Sequence, residues 1–213
     1  MILSILDNDL YKFSTSNAYF HLYPLAEGTF KFNDRAAEVY EESFLAALKE
    51  EFKKLSDLSL SEEEFEYLTG NIKYISRNYW EWLRGFRFEA DKINAYLDEE
   101  GHLQIEVTDY LYKVTLYEVP VLAIVSELRN RVNGVEVNVD TALAILDEKL
   151  KIANDNALYF SEFGTRRRFS SELHEHIVAR LKEKCPKFCA GSSNVFFAMK
   201  FGMTPIGTFP HEW

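Results

Sequence analysis

Strand-like and helix-like segments alternate in the last quarter of the chain, and this alternation constrains the fold more than any other feature. Three segments after about residue 156 have the short apolar pattern of strands: ALYFSEFG, KFCAGSSN and TPIGTF. The two segments between them, SSELHEHIVARLKEK and VFFAMKFG, have the pattern of helices, and the first carries Leu173, Ile177 and Leu181 on its apolar face. Strands connected through helices build parallel sheets, either open or closed into a barrel. The sequence therefore predicts a β-α-β-α-β unit.

Polar side chains follow each of these predicted strands. Arg166 follows the first strand, Ser192, Ser193 and Asn194 follow the second, and His211 follows the third. In parallel α/β sheets, ligands bind at the carboxyl ends of the strands. We therefore expect these side chains to converge on one mouth and to form a binding site.

The first half of the chain mixes predicted helices with predicted strands, the α+β pattern. The segment SFLAALKEEFKKL has an apolar helical stripe, and Ser61 with Glu64 predicts a capping box at the start of a second helix. The segment AYLDEEGHLQIEV predicts a hairpin with Gly101 in its turn, and the alternation in YKVTLY (112–117) predicts another strand.

Two further helices are predicted between the hairpin and the alternating region. Pro120 is predicted to open the first, and its fixed φ angle suits a first helical position. Asp140 is predicted to cap the second, which carries Leu143, Leu146 and Leu150.

Composition excludes several classes of protein. With 47% hydrophobic and 15% aromatic residues, the 213-residue chain is globular rather than disordered. A net charge of −10 argues against general binding to nucleic acid or to anionic membrane. No apolar run resembles a signal peptide or a membrane span. Cys185 and Cys189 fit a reducing compartment, so a cytoplasmic location is predicted.

A zinc site is one alternative for the alternating region, because His174, His176, Cys185 and Cys189 could supply four ligands. Residues two apart on a helix point in nearly opposite directions, so both histidines cannot face one ion. The sequence therefore favours one surface histidine, one partly packed histidine and two structural thiols, with no metal site.

Five segments in a fixed order carry a family resemblance: LDNDLYKFS (6–14), YEVPVLAIVSEL (117–128), FGTRRRFS (163–170), GSSNV (191–195) and GMTPIGTFPHEW (202–213). Together with NYWEWLRGFRF (78–88), they closely resemble nicotinate phosphoribosyltransferase along the whole chain. The resemblance implies a type II phosphoribosyltransferase fold. In that fold an α+β N-terminal domain, residues 1–135 here, precedes an irregular α/β (TIM-like) barrel, of which residues 136–213 would form the first strand-helix units.

The same resemblance implies an activity. It is the condensation of nicotinate with phosphoribosyl pyrophosphate to give nicotinate mononucleotide and pyrophosphate, a step of NAD biosynthesis that is helped by ATP and Mg²⁺. It also implies a homodimer with shared active sites.

Nicotinate is a flat ring with a carboxylate, so its site needs an aromatic face and a fixed cation. Phe163 and Arg166 supply these two groups at the end of one predicted strand. By resemblance, Tyr11 covers the opposite face of the ring from the partner subunit, and Ser192, Ser193 and Asn194 also contact substrate.

The neighbouring arginines and the last histidine complete the predicted site. Arg167 and Arg168 are expected at a solvated or phosphate-facing surface, close to the N-terminus of the following helix. By resemblance, His211 is the residue that ATP phosphorylates. Serine at position 193, where similar enzymes that prefer nicotinamide carry an acid, predicts a preference for nicotinate.

Three hypotheses remain open from the sequence. The first is the nicotinate enzyme, the second is a related transferase that acts on nicotinamide or quinolinate, and the third is an inactive fragment that keeps the fold. Only three strand-helix units follow residue 156, whereas a closed barrel uses about eight. We therefore expect a protein of about twice this length and an incomplete barrel in these 213 residues.

Overall fold

The computed structural model describes residues 1–34 and 38–208. Within these ranges the chain forms helices α1 to α9, strands β1 to β5 and two short 3-10 turns. In chain order the elements are α1 (Leu10–Leu22), β1 (Glu27–Lys31), α2 (Glu42–Leu55), α3 (Glu62–Asn71), α4 (Arg77–Gly85), a 3-10 turn (Ala90–Lys92), β2 (Ile93–Leu97), β3 (Leu103–Tyr110), α5 (Leu111–Val114), α6 (Glu118–Val132), α7 (Val139–Asp155), β4 (Phe160–Glu162), a 3-10 turn (Thr165–Arg167), α8 (Ser171–Lys184), β5 (Cys189–Ser192) and α9 (Val195–Lys200).

The first sheet is antiparallel and has the strand order β1-β3-β2. The predicted hairpin between β2 and β3 is confirmed, and Gly101 lies in its turn with φ +83°, a conformation that glycine adopts without steric cost. The predicted strand YKVTLY is wrong. Residues 111–114 form helix α5 instead, and Thr115 N–H donates to the Leu111 carbonyl at 3.1 Å. An alternation of only six residues is too short to distinguish a strand from a turn of helix. In the structure Val114 through Tyr117 are all buried, so this segment has no alternation of buried and exposed side chains.

The main hydrophobic core lies between this sheet and helices α2, α3, α4 and α6. The predicted apolar stripe of α2 is confirmed, because Phe44, Leu48, Phe52 and Leu55 are all buried. The predicted capping box of α3 is also confirmed. Ser61 N–H donates to Glu64 Oε2 at 2.8 Å, and Glu64 N–H donates to the Ser61 hydroxyl.

Helices α6 and α7 were predicted at the right places but with the wrong first residues. Helix α6 begins at Glu118, two residues before Pro120, and Pro120 occupies the first turn, where its missing N–H costs nothing. Helix α7 is capped by Asn138 rather than Asp140, because Asn138 Oδ1 accepts a 2.9 Å hydrogen bond from Thr141 N–H. The sequence pattern therefore gave the approximate positions of both helices, whereas the backbone geometry of the first turn determined their first residues.

The predicted parallel β-α-β pair is confirmed, because β4 and β5 are parallel and α8 connects them. A second hydrophobic cluster packs here, with Val178 and Leu181 of α8 and Leu150 of α7 among its buried members. Of the third predicted strand, the described residues form a single parallel bridge, from Ser192 to Pro205. Gly191 permits this approach, since a side chain there would collide with the Thr204 carbonyl.

Among the described residues, no helix is both long and apolar enough to span a membrane, and the longest, α7, has 17 residues.

Candidate functional site

The carboxyl ends of β4 and β5 lie side by side, as predicted for the first two strands. Ser193 N–H donates to the Glu162 carbonyl at 2.9 Å. Asn194 Nδ2 donates to Thr165 Oγ1 at 3.3 Å, so the loops that follow the two strands also touch. His211, which was predicted at the same mouth, lies outside the described residues.

Arg166 is the half-exposed cation of this mouth. The 3-10 turn after β4 carries it outward, and 42% of its side chain is exposed. Its Nη1 donates to Glu118 Oε1 at 2.8 Å, and its Nε lies 3.8 Å from Asp9 Oδ2. Burial works to lower the pKa of Arg166, but the nearby Tyr11, Glu118 and Asp9 raise it overall, so the guanidinium stays charged.

Phe163 and Tyr11 are the two aromatic side chains assigned to this site by the sequence. Phe163 follows β4 directly and is 41% exposed, so its ring is accessible from solvent. Tyr11 lies in the first turn of α1 and is buried, and burial raises its pKa to about 12. The charge of Arg166 in the same chain acts on the pKa of Tyr11, so the two side chains lie near each other within one chain.

Glu118 connects two cations at the start of α6. Its Oε1 accepts from Arg166, and its Oε2 pairs with the ammonium group of Lys12. Lys12 is almost fully buried, and its Nζ lies 5.0 Å from the centroid of the Tyr11 ring. A buried ammonium group needs a carboxylate partner, and Glu118 provides it.

The expected position of Arg168 at a solvated or phosphate-facing surface is wrong. Only 1% of its side chain is exposed, and Nη1 and Nη2 donate to the two oxygens of Asp7 at 2.7 and 3.0 Å. Nη2 also donates to the Met1 carbonyl. The turn that directs Arg166 and Arg167 outward ends at Arg168 and returns the chain to the interior, so adjacent arginines face opposite environments.

Ser192, Ser193 and Asn194 are completely buried beneath the mouth, and each donates to a different carboxylate. Ser192 Oγ donates to Glu162 Oε2 at 2.5 Å, and Ser193 Oγ donates to Asp9 Oδ1 at 2.7 Å. Asn194 Nδ2 donates to Asp7 Oδ1 at 2.7 Å. These three polar side chains therefore hold the acids behind the mouth in place.

Glu162 and Asp9 are buried acids whose pKa values move in opposite directions. Burial alone works to raise the pKa of Glu162, but hydrogen bonding and charge from His174, with further hydrogen bonds from Ser192 and Gly164, hold it below its usual value. Burial raises the pKa of Asp9, and the opposing effects of Ser193, Thr165 and Arg166 do not reverse that shift. At both acids, desolvation raises the pKa and the polar or positively charged neighbours lower it. These neighbours have the larger combined effect at Glu162, and desolvation has the larger effect at Asp9.

One histidine of α8 is exposed and the other is packed, as the sequence favoured for these two side chains. His174 is buried against Glu162 and the edge of Phe197, while His176 is exposed. Cys185 and Cys189 are buried free thiols. In the described part of the chain, no group of three or more histidine, cysteine, aspartate or glutamate side chains is arranged to hold a metal ion.

Sequence reasoning did not single out the acids and the lysine that organise this site: Asp7, Asp9, Lys12, Glu118 and Glu162. Two signals pointed to all of them except Glu118. The segment LDNDLYKFS concentrates two acids and a lysine among apolar residues, and Glu162 interrupts an apolar strand. A charged residue within an apolar run usually has a buried partner.

A cleft of about 810 Å³ opens beside Arg166 and Arg167. Helix α6 forms one wall, and β1 with the residues that follow it forms the other. The lining includes the aromatic side chains Phe30, Phe32 and Tyr40 as well as the two arginines. Its volume and mixed lining suit a small ligand that has a ring and a negative charge.

Comparison with known proteins gives the same family over both parts of the chain. Residues 6–126 match the nicotinate phosphoribosyltransferase (NAPRTase) N-terminal domain, and residues 158–213 match the nicotinate phosphoribosyltransferase (NAPRTase) family. A nicotinate phosphoribosyltransferase of Methanosarcina acetivorans is 37% identical over an alignment of 229 positions, which covers 100% of this chain and 56% of the relative. The chain thus spans about half the length of the curated relatives it matches.

Solved structures agree with the sequence comparison. The crystal structure of nicotinate phosphoribosyltransferase from Porphyromonas gingivalis is 39% identical and superposes with a TM-score of 0.98, covering 100% of this chain and 55% of that chain. The Vibrio cholerae structure is 32% identical with a TM-score of 0.91, covering 100% of this chain and 52% of that chain. On the evidence of the family matches and of the fold together, this chain belongs to the nicotinate phosphoribosyltransferase family.

Proposed function

We propose that the protein condenses nicotinate with phosphoribosyl pyrophosphate and releases nicotinate mononucleotide and pyrophosphate, a step of NAD biosynthesis. The observation that carries this proposal is the position of Arg166. It is a permanently charged, half-exposed guanidinium at the end of β4, two positions beyond the exposed Gly164 and three beyond the exposed Phe163. A cation and an aromatic side chain that follow the same strand are the two kinds of group that a pyridine carboxylate requires.

In the proposed complex, Arg166 pairs with the carboxylate of nicotinate and Phe163 stacks on its ring. Tyr11 covers the other ring face, and its phenol, like any tyrosine below its pKa, is neutral and able to donate a hydrogen bond at physiological pH. The bond to the ribose carbon forms as pyrophosphate departs, so the enzyme mainly needs to position the two substrates and stabilise charge. Arg167, which is exposed beside the cleft, is assigned to phosphate groups.

ATP and Mg²⁺ are further parts of the proposal that rest on the family resemblance. ATP would phosphorylate His211, which lies outside the described residues, and the resulting energy would drive product formation. The described residues do not by themselves offer Mg²⁺ a set of three acidic or histidine ligands, so no step is assigned to the ion.

We further propose that residues 1–135 act as an α+β domain and that residues 136–213 begin an irregular α/β barrel of the type II phosphoribosyltransferase fold. The parallel β4-β5 pair and the bridge from Ser192 to Pro205 support that assignment. A cytoplasmic homodimer with shared active sites is the matching proposal for assembly, and it rests on the family resemblance, since within this chain Tyr11 already lies near Arg166 of the same chain.

The test is a product assay on the purified protein with phosphoribosyl pyrophosphate and each of three bases, nicotinate, nicotinamide and quinolinate, with and without ATP. We expect nicotinate mononucleotide from nicotinate and a higher yield when ATP is present. Product from nicotinamide or quinolinate in preference to nicotinate would contradict the proposed substrate. A folded protein with a complete barrel that makes no product from any base would contradict the proposed catalysis.

A further inference from the structure

Glu118 stands between two cavities and holds one cation beside each. It lines the 810 Å³ cleft together with Arg166, and it lines a smaller pocket of about 280 Å³ together with Lys12. Both of its carboxylate oxygens are used, one by each cation. A carboxylate that is held by two partners has little rotational freedom, so it can fix the guanidinium it binds.

The backbone also fixes Glu118. It is the first residue of α6, where a negative side chain interacts favourably with the helix dipole. Its neighbours Tyr117 and Val119 are fully buried, and the Tyr117 hydroxyl accepts a 2.9 Å hydrogen bond from Glu89 N–H. Glu118 therefore projects from a packed helix end towards a side chain that is carried by a short turn.

Arg166 has a competing carboxylate on its other side. Asp9 Oδ2 lies 3.8 Å from Arg166 Nε, whereas Glu118 Oε1 lies 2.8 Å from Nη1. Asp9 is buried below the mouth, and Glu118 is partly exposed at its rim. Among the described residues, these two acids are the carboxylates within 4.0 Å of the guanidinium. Loss of the Glu118 charge would leave the inward attraction of Asp9 unopposed.

We propose that Glu118 is a positioning residue, which holds Arg166 at the mouth for the carboxylate of the substrate and prevents its withdrawal onto Asp9. This inference rests on the proposed function of the site. It assigns Glu118 an effect on capture of the pyridine carboxylate and none on the phosphoribosyl donor, because Glu118 acts through Arg166. The effect should therefore appear in the KM for nicotinate rather than in kcat.

The first variant is Glu118→Gln, which keeps the size of the side chain and removes its charge. We expect the KM for nicotinate to rise about tenfold or more, while kcat and the KM for phosphoribosyl pyrophosphate change by less than about threefold. The matched control is Glu62→Gln, since Glu62 also binds an arginine, Arg84, at 2.6 Å but lies on α3. The control should keep wild-type kinetics.

A second variant tests the withdrawal itself. Asp9→Asn in the Glu118→Gln background removes the charge that attracts Arg166 inward, and the amide oxygen can still accept from Ser193. We expect this pair of changes to lower the KM for nicotinate by about threefold or more relative to Glu118→Gln alone. Recovery of this kind would not follow if Glu118 only stabilised the fold.

Loss of Glu118 also removes a carboxylate that pairs with buried Lys12, so thermal melting must accompany the kinetics. If Glu118→Gln does not fold, Lys12→Met with Glu118→Gln removes both charges and should show the same rise in KM. An unchanged KM for nicotinate in a folded variant, a loss confined to kcat, or no recovery with Asp9→Asn would overturn the inference. A wild-type protein that does not use nicotinate would instead overturn the proposed function.

Discussion

Arg168 and Asp7 form a buried, doubly hydrogen-bonded ion pair across 161 positions of sequence, with N···O distances of 2.7 and 3.0 Å. The pair joins the first residues of the chain to the turn that follows β4. Asn194 donates to the same carboxylate, so one acid connects three separate segments. The three consecutive arginines therefore have different environments: Arg166 and Arg167 line the cleft, whereas Arg168 is buried against Asp7.

Replacement of Arg168 by Met should strongly destabilise the fold, because it leaves the Asp7 carboxylate buried without its cation. We expect the free energy of unfolding to fall by about 3–5 kcal/mol. The matched control is Arg167→Met at the exposed neighbouring position, which should change it by less than about 0.5 kcal/mol. Denaturant titration measures both, and equal effects at the two positions would contradict the assignment.

Acid should weaken the fold through Glu162. Its pKa is lower in the folded chain than in the unfolded chain, so between the two values the unfolded chain binds more protons. The stability that Glu162 contributes is therefore present above the unfolded pKa and is lost as pH falls through the folded pKa. Glu162→Gln should reduce the decrease in melting temperature between about pH 6 and about pH 3. Glu63→Gln is the exposed control, and identical acid profiles of wild type and Glu162→Gln would refute the prediction.

Arg166→Lys should weaken nicotinate binding although it keeps the positive charge. Lysine cannot offer a planar pair of donors to Glu118 and a substrate carboxylate together. We expect the KM for nicotinate to rise about tenfold or more. Arg84→Lys is the matched control, because Arg84 is 43% exposed and also binds a glutamate. Similar KM values for wild type and Arg166→Lys would argue against the assigned carboxylate contact.

Ser193→Asp should damage both the fold and the use of nicotinate. The sequence alone predicts a loss of nicotinate kcat/KM of about tenfold or more from repulsion of the substrate. The structure adds a second cause, since an aspartate at this buried position would face Asp9. We therefore expect a lower melting temperature as well, with partial recovery when Asp9→Asn is added. A wild-type melting temperature in Ser193→Asp would show that the new charge is accommodated.

His211→Asn should abolish ATP hydrolysis and leave some phosphoribosyl transfer, because the imidazole is assigned to energy coupling rather than to bond formation at the ribose. Incubation with γ-labelled ATP should place an acid-labile label on the wild-type protein and none on the variant. His176→Asn, at an exposed position of α8, is the control. An unlabelled wild-type protein that still couples ATP to product would contradict the phosphohistidine assignment.

Periodicity and local caps were sufficient to predict most elements of the fold. The α2 stripe, the Ser61–Glu64 capping box, the Gly101 turn and the parallel β4-β5 pair all follow from short stretches of sequence. The stripe, the capping box and the turn depend on groups within a few residues of each other, so the sequence encodes them directly, whereas the parallel pair follows from the alternation of strand and helix patterns. The strand prediction for YKVTLY is wrong because a six-residue pattern fits both the strand period and the helix period. Burial of the segment in the tertiary structure determined that it forms a helical turn.

The sequence by itself determined which residue types gather at the strand ends and which family the motifs resemble. Only the tertiary structure decided which of those side chains face the cleft. Arg166 and Arg168 are two positions apart and chemically identical, yet one meets solvent and the other meets Asp7. Charge partners that are 100 or more positions apart, such as Lys12 and Glu118, leave no local pattern, because their contact exists only after distant segments pack together.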